Sequence, residues 1–145
     1  MAKQSYLELN AHEKDWLAKN LSAVKGITQS TLGKDDPDWL QPGKLDQAYA
    51  AWYATHDRET EDPNPLINAF GMAFGEYLVR EHQLSWVIVQ EKDRAELAVH
   101  GEIGEILLFP PHLVAKRYEK GLVDFLEPLS LEIGQSIQKI RSLQD

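Results

Sequence analysis

A chain of 145 residues that is 43% hydrophobic, with four Trp, has the length and apolar content for one domain with a real core, which excludes a disordered composition. Its 15 Lys and Arg stand against 23 Asp and Glu, and the resulting charge of −8 disfavours nucleic-acid phosphates and anionic membrane surfaces while suiting a basic protein partner. Cysteine is absent, so disulfides, cysteine-based zinc sites and thiol chemistry are excluded.

The opening MAKQSYLELNAHEKDW lacks the apolar core of a secretory signal, and no apolar run approaches the length of a membrane span. A cytoplasmic location is the expectation. Asn10 and Glu13 have the spacing of a capping box, which predicts a helix from there to Gly26 with Trp16, Leu17, Leu21 and Val24 on one face. The stretch ITQSTLGKDDPDWLQPG, rich in Gly, Pro and Asp, reads as a loop. Leu45, Ala48, Tyr49, Trp52 and Tyr53 recur at helical spacing and give a second helix ending near His56, followed by the acidic loop DRETEDPNP.

Asn64 and Pro65 start a third helix that reaches about His82. Gly71 and Gly75 lie four apart within it, each costing roughly 1 kcal/mol relative to Ala, so a sheet or another helix is expected to approach closely there. Three strands follow, near 85–90, 95–99 and 105–109, separated by the turns EKDR and HGEIG, with Trp86, Phe74 and Phe109 assigned to the core. Helices precede and follow the strands without alternating with them. The fold class is therefore α+β, a single domain with a three-stranded antiparallel meander packed against N- and C-terminal helices.

Pro110 or Pro111 starts the next helix, where a missing N–H costs little. Lys116, Arg117 and Lys120 fall toward its C-terminal end, and Gly121 sits where a left-handed cap residue belongs. LVDFLE reads as a short helical piece, and Pro128 opens a last helix carrying Leu129, Ile133, Ile137 and Ile140 in one stripe.

Gly75, Glu76, Leu78 and Val79, then Trp86, Val87 and Val89, then Ala98, Phe109, Pro110, Lys116, Arg117, Glu119 and Gly121 follow a recognisable order. Over about residues 65–125 the chain resembles the bacterial domain-of-unknown-function family 3806. The resemblance implies an α+β fold and implies no activity. It departs at Glu91, Lys92, Asp93 and Arg94, where the pattern D-E-x-G is expected; without a glycine for a tight turn, a longer one is expected. It also places Lys116 and Arg117 in a shared pattern, which helix termination alone does not explain. The expected structural role is an internal two-pronged ion pair of Arg117 with a carboxylate such as Glu76, and the alternative is an anion pocket around Lys116 and Arg117.

The chain carries few signatures of chemistry. None of His12, His56, His82, His100 and His112 stands at metal-ligand spacing, and HEKD at 12–15 lacks the second histidine of a zinc helix. No G-x-S-x-G occurs, and GKDD lacks the phosphate-loop pattern. Asp35, Asp36 and Asp38 suggest calcium, but Pro37 and the missing loop ligands favour a solvated turn. No catalytic residue, metal or cofactor is assigned. Asp35, Asp36 and Asp38, with Glu59, Glu61 and Asp62, form two acidic loops, read as the binding surface for a basic protein. The expected function is a non-enzymatic interaction domain, in its concrete form an immunity protein neutralising a bacterial toxin or effector. The alternative is a small-molecule-binding or hydrolytic domain built on the anion pocket at Lys116 and Arg117.

Overall fold

The computed structural model describes residues 5–102 and 104–143, so Ile103 of the HGEIG turn lies outside the described residues. Asn10 starts the first long helix as its sequence demands. Its side chain accepts the Glu13 backbone N–H at 2.8 Å, and the Glu13 carboxylate accepts the Asn10 N–H at 2.8 Å. The helix, α1 (Ala11–Leu32), runs past Gly26 and stops at Gly33, whose φ of 75° lets its N–H reach the Gln29 carbonyl. The expected loop at 27–32 is thus helical. Val24 and Thr28 continue the buried stripe, and the Thr28 hydroxyl donates to the Val24 carbonyl at 2.9 Å. Trp16 leaves the expected core face and is 44% exposed, while Leu17 and Val24 do the burying.

The second and third helices, α2 (Pro42–Thr55) and α3 (Asn64–His82), lie where their periodicity puts them. Residues 69 to 75 of α3 are all buried, so the middle of this helix is enclosed on every side. The sheet has one strand more than expected. The first strand, β1 (Ser5–Leu7), precedes α1 and pairs antiparallel with β2 (Ser85–Glu91), which pairs with β3 (Arg94–Gly101), which pairs with β4 (Ile106–Leu108). A three-residue exposed strand carries no alternation to read, and only the free edge of β2 defines it.

The β2–β3 turn corrects a second expectation. Glu91 pairs with Arg94, leaving only Lys92 and Asp93 in the turn, and Lys92 adopts φ 56° without a glycine. The register puts Trp86 and Ile88 with Leu97 and Val99 on the face toward the helices. Val87 and Val89, with Ala98, Glu96 and His100, lie on the other face.

Close approach explains the two glycines of α3. A Cβ at Gly71 would meet the Pro111 Cα and stand 2.7 Å from the Pro111 nitrogen; one at Gly75 would meet the Trp86 ring and stand 2.9 Å from the Pro110 Cγ. The next helix, α4 (Pro110–Glu119), therefore packs its first turn against the glycine side of α3. Proline suits that contact, because the backbone there has no N–H to bury. Gly121, at φ 70°, ends this helix as expected, donating to the Tyr118 carbonyl while Leu122 donates to Arg117. Two core assignments change. Trp86 is half-buried between two apolar clusters, and Phe109 is half-buried and stacked on His112 at 5.5 Å.

Residues 122–125 are not helical. The last helix, α5 (Leu126–Ser142), begins two residues before Pro128 and buries Leu129 and Ile137. Among the described residues the chain has five helices and four antiparallel strands, and no helix is long and apolar enough to cross a membrane.

The glycines give a paired test. Gly71→Ala should lower stability by about 1–3 kcal/mol, because backbone on both sides of the contact must move. Gly26→Ala, with nothing within 4 Å of the added carbon, should instead raise stability by about 0.5–1 kcal/mol through helix propensity. Urea melts of both variants check the contrast, and a neutral Gly71→Ala would contradict the packing.

Candidate functional site

The acidic loops do not form one surface. They flank α2, a 14-residue helix and therefore roughly 21 Å long, at its opposite ends. In the first loop Asp36 is not solvated: it is 6% exposed, its carboxylate lies 2.5 Å from the Lys44 Nζ, and it accepts the Asp38 N–H at 2.8 Å. The Lys44 hydrogen bond, ahead of the Asp38 N–H, holds the Asp36 carboxyl below its ordinary 3.8. Asp36 thus ties the loop to α2. Asp35 accepts from the Gln29 amide at 2.6 Å and stays exposed, as does Asp38.

In the second loop the carboxylates organise their own backbone. Glu61 accepts the Asp57 N–H at 3.0 Å, Asp57 accepts the Glu59 N–H at 2.9 Å, and Asp62 accepts the Asn64 N–H at 3.0 Å where α3 begins. Glu59, Glu61 and Asp62 are all exposed.

A third acidic group, not singled out from sequence, joins the first loop's end of α2. Phe125 offers no side-chain cap to α5, and Asp46 of α2 supplies one across 80 residues, accepting from the Leu126 N–H at 2.8 Å and the Glu127 N–H at 2.9 Å. Burial pushes the Asp46 carboxyl above its ordinary 3.8; the two N–H groups oppose the shift, and the nearby charges of Asp124 and Glu127 add to it. Asp46, Asp124 and Glu127 line one open cleft of about 490 Å³, together with Pro128 and Leu131, and Leu131 is 63% exposed. Leu122 and Val123, just before Asp124, are exposed as well.

The basic pair lies elsewhere. Arg117 donates to the Leu113 carbonyl of its own helix at 3.0 Å, and its expected ion pair with Glu76 is not formed. Glu76 accepts instead from the Arg80 Nε at 2.7 Å and the Trp86 indole N–H at 2.9 Å, so its position is set within α3 and by β2. Lys116 is exposed, and neither Lys116 nor Arg117 lines the cleft of Asp46, Asp124 and Glu127.

One further arrangement escapes the sequence. His56, at the end of α2, shares a 2.7 Å hydrogen bond with the Tyr118 hydroxyl of α4, and the Glu61 carboxylate lies 3.8 Å from its other ring nitrogen. This carboxylate–imidazole–phenol line resembles a proton relay. Yet Tyr118 is 6% exposed, the His56 side chain 1%, and Trp52 packs on the imidazole at 4.7 Å. The His56–Tyr118 hydrogen bond fastens α2 to α4. Among the described residues no group of three or more His, Asp or Glu side chains is placed to hold a metal ion.

A family model described as Domain of unknown function (DUF3806) matches residues 48–127, from the middle of α2 to the start of α5. A crystal structure from Bacteroides thetaiotaomicron VPI-5482 aligns with a TM-score of 0.64 at 13% identity, over 81% of this chain and 42% of that one. That likeness concerns the fold alone, and this chain spans less than half the length of that protein. Among curated proteins none matches.

Removing the cross-chain cap with Asp46→Ala should lower stability by about 1–2 kcal/mol in urea melts, the usual cost of an uncapped helix start. Tyr118→Phe, which leaves the His56 ring nitrogen without its partner, should cost about 1 kcal/mol. Asp36 has a pH signature. Its folded carboxyl titrates below the unfolded one, so its stabilisation is present above 3.8 and lost as pH falls through the lowered folded value. Asp36→Asn should therefore flatten the acid limb of stability below about pH 4. An unchanged limb would mean that Lys44 does not hold it.

Proposed function

The chain belongs to the family described as a domain of unknown function, DUF3806, and on that premise we propose that it is a non-enzymatic interaction domain offering an acidic corner to a basic protein partner. The observation that carries this reading is the cleft where Asp46, Asp124 and Glu127 converge beside the exposed Leu131. Asp35 and Asp38 stand at the same end of α2. A Lys or Arg side chain suits such a place: its head pairs with Asp124 or Glu127 while its aliphatic stem lies on Leu131 and Pro128. The exposed Leu122 and Val123 extend the apolar margin, and the charge of −8 steers a basic protein toward it.

In its most concrete form the partner is a basic bacterial toxin and the domain is its cytoplasmic immunity protein, acting by occlusion. The acidity of the chain supports that form.

The test begins with capture of a partner from the source cell, followed by association kinetics. Asp35→Asn, Asp38→Asn, Asp124→Asn and Glu127→Gln combined should slow association at least tenfold at low salt, and the difference should shrink once the Debye length falls to ~8 Å at physiological ionic strength. Asp36 and Asp46 are spared because they hold the fold. Glu59→Gln, Glu61→Gln and Asp62→Asn at the far end of α2 serve as the comparison and should leave the rate unchanged. Equal on-rates for wild type and the first variant, or a loss confined to the second, would overturn the acidic-corner mechanism.

A further inference from the structure

α5 reaches its last turn beside the end of β3, and Gly101 allows the contact. A Cβ there would stand 2.6 Å from the Leu84 Cδ2 and 3.2 Å from the Arg141 Nη2. The guanidinium of Arg141 thereby reaches a cleft of about 670 Å³ that His100, Tyr6, Ser85, Trp86 and Glu102 also line. Tyr6 lies over the His100 imidazole with ring centres 4.4 Å apart. Strand pairing explains the meeting, since Tyr6 opposite Val89 and His100 opposite Ser85 project from the same face of the sheet.

Two polar atoms of this cleft are buried with no hydrogen-bond partner among the described residues: the Arg141 Nε and the His100 Nε2. The nearest carboxylate to His100 belongs to Glu105, at 4.0 Å, too long for a hydrogen bond and on a side chain that is 81% exposed. Arg141 has no carboxylate within 4.0 Å among the described residues. Its charge is felt nearby. His82, packed against Gly134 of α5, titrates below 6.5 through burial first, and of the two charges acting on it Glu81 raises the value and Arg141 lowers it. Two buried polar atoms without a partner among the described residues thus line one cleft, and such atoms call for an explanation.

We propose that this cleft binds a compact organic oxyanion, a carboxylate or a phosphate monoester, with Arg141 and His100 as its donors and the ring of Tyr6 walling its body. An oxyanion held there would supply the acceptor that the Arg141 guanidinium lacks, and guanidinium geometry matches either headgroup. The volume is in the range of sites for small organic molecules. Glu8 and Glu102, both exposed on the lining, favour a ligand with one anionic group over a polyanion. The site goes beyond the acidic corner and does not depend on it, since it lies at the other end of α5.

The experiment titrates inorganic phosphate, acetate, phenyl phosphate and benzoate against sodium chloride of matched ionic strength. A saturable rise in melting temperature of about 5 °C or more at a hundredfold excess over Kd is expected for at least one anion, and the tighter headgroup names the ligand class. The aromatic esters and acids should bind more tightly than the bare ions. Arg141→Gln and His100→Phe should each abolish the rise, whereas Lys116→Gln with Arg117→Gln should leave it intact. A rise no larger than that of chloride, or one that survives Arg141→Gln, overturns the site. Should Arg141→Gln fail to fold, NMR titration of the wild type decides. A shift of the Arg141 Nε–H signal on adding the anion supports the proposal, and a stationary signal overturns it.

Discussion

The absence of side chains at two positions of α3 decides where much of the molecule can go. Gly71 and Gly75 bring α3 against the first turn of α4 so closely that Pro111 backbone occupies the space a methyl would need. The same side receives the Trp86 ring, and the Glu76 carboxylate one residue on accepts the Trp86 indole N–H. One helix therefore positions both the following helix and the central strand. Its other residues complete the packing: Phe70 meets Tyr49 of α2 edge to face at 5.4 Å, and Met72 joins Ile88 and Leu97 under the sheet. Glycine costs helix propensity at both sites, and the contacts made possible by its lack of a Cβ offset that cost.

The polar groups follow a related economy of position. Asp46 caps a helix that has no cap of its own, and doing so places a third carboxylate beside Asp124 and Glu127. The acidic corner is partly a by-product of how α2 and α5 are joined. Asp36 shows the limit of that logic, since its carboxylate is spent on Lys44 and the loop backbone and cannot face a partner.

α5 carries the two regions of interest at its two ends. A 17-residue helix is roughly 25 Å long, with Glu127 in its first turn and Arg141 in its last. The helix dipole favours an acid at the start and a cation at the end, so the separation of charge costs the helix nothing. The two proposed sites therefore lie at opposite ends of α5, too far apart for one ligand to block the other.

Legibility in the sequence followed locality. The capping box at Asn10 and Glu13, the proline start at Pro110 and the left-handed stop at Gly121 are arrangements of neighbouring residues, and the backbone answers them the same way in any surroundings. The glycine pair announced a close approach and left its partner unnamed. What needed the tertiary structure were the pairings across distance: β1 exists only against the edge of β2, and α1 continues through 27–32 because the core receives Val24 and Thr28. Asp46 caps a helix 80 residues away, and His56 reaches Tyr118 across 62. The expected ion pair of Arg117 with Glu76 failed for the same reason: Arg80 and Trp86 reached that carboxylate first, and sequence spacing does not rank competitors in space. The sequence by itself determined the fold class, the order of its main elements and the local signals that start and stop them. The tertiary structure alone decided which charged and polar side chains meet, because burial and the removal of competing water are properties of the packed whole.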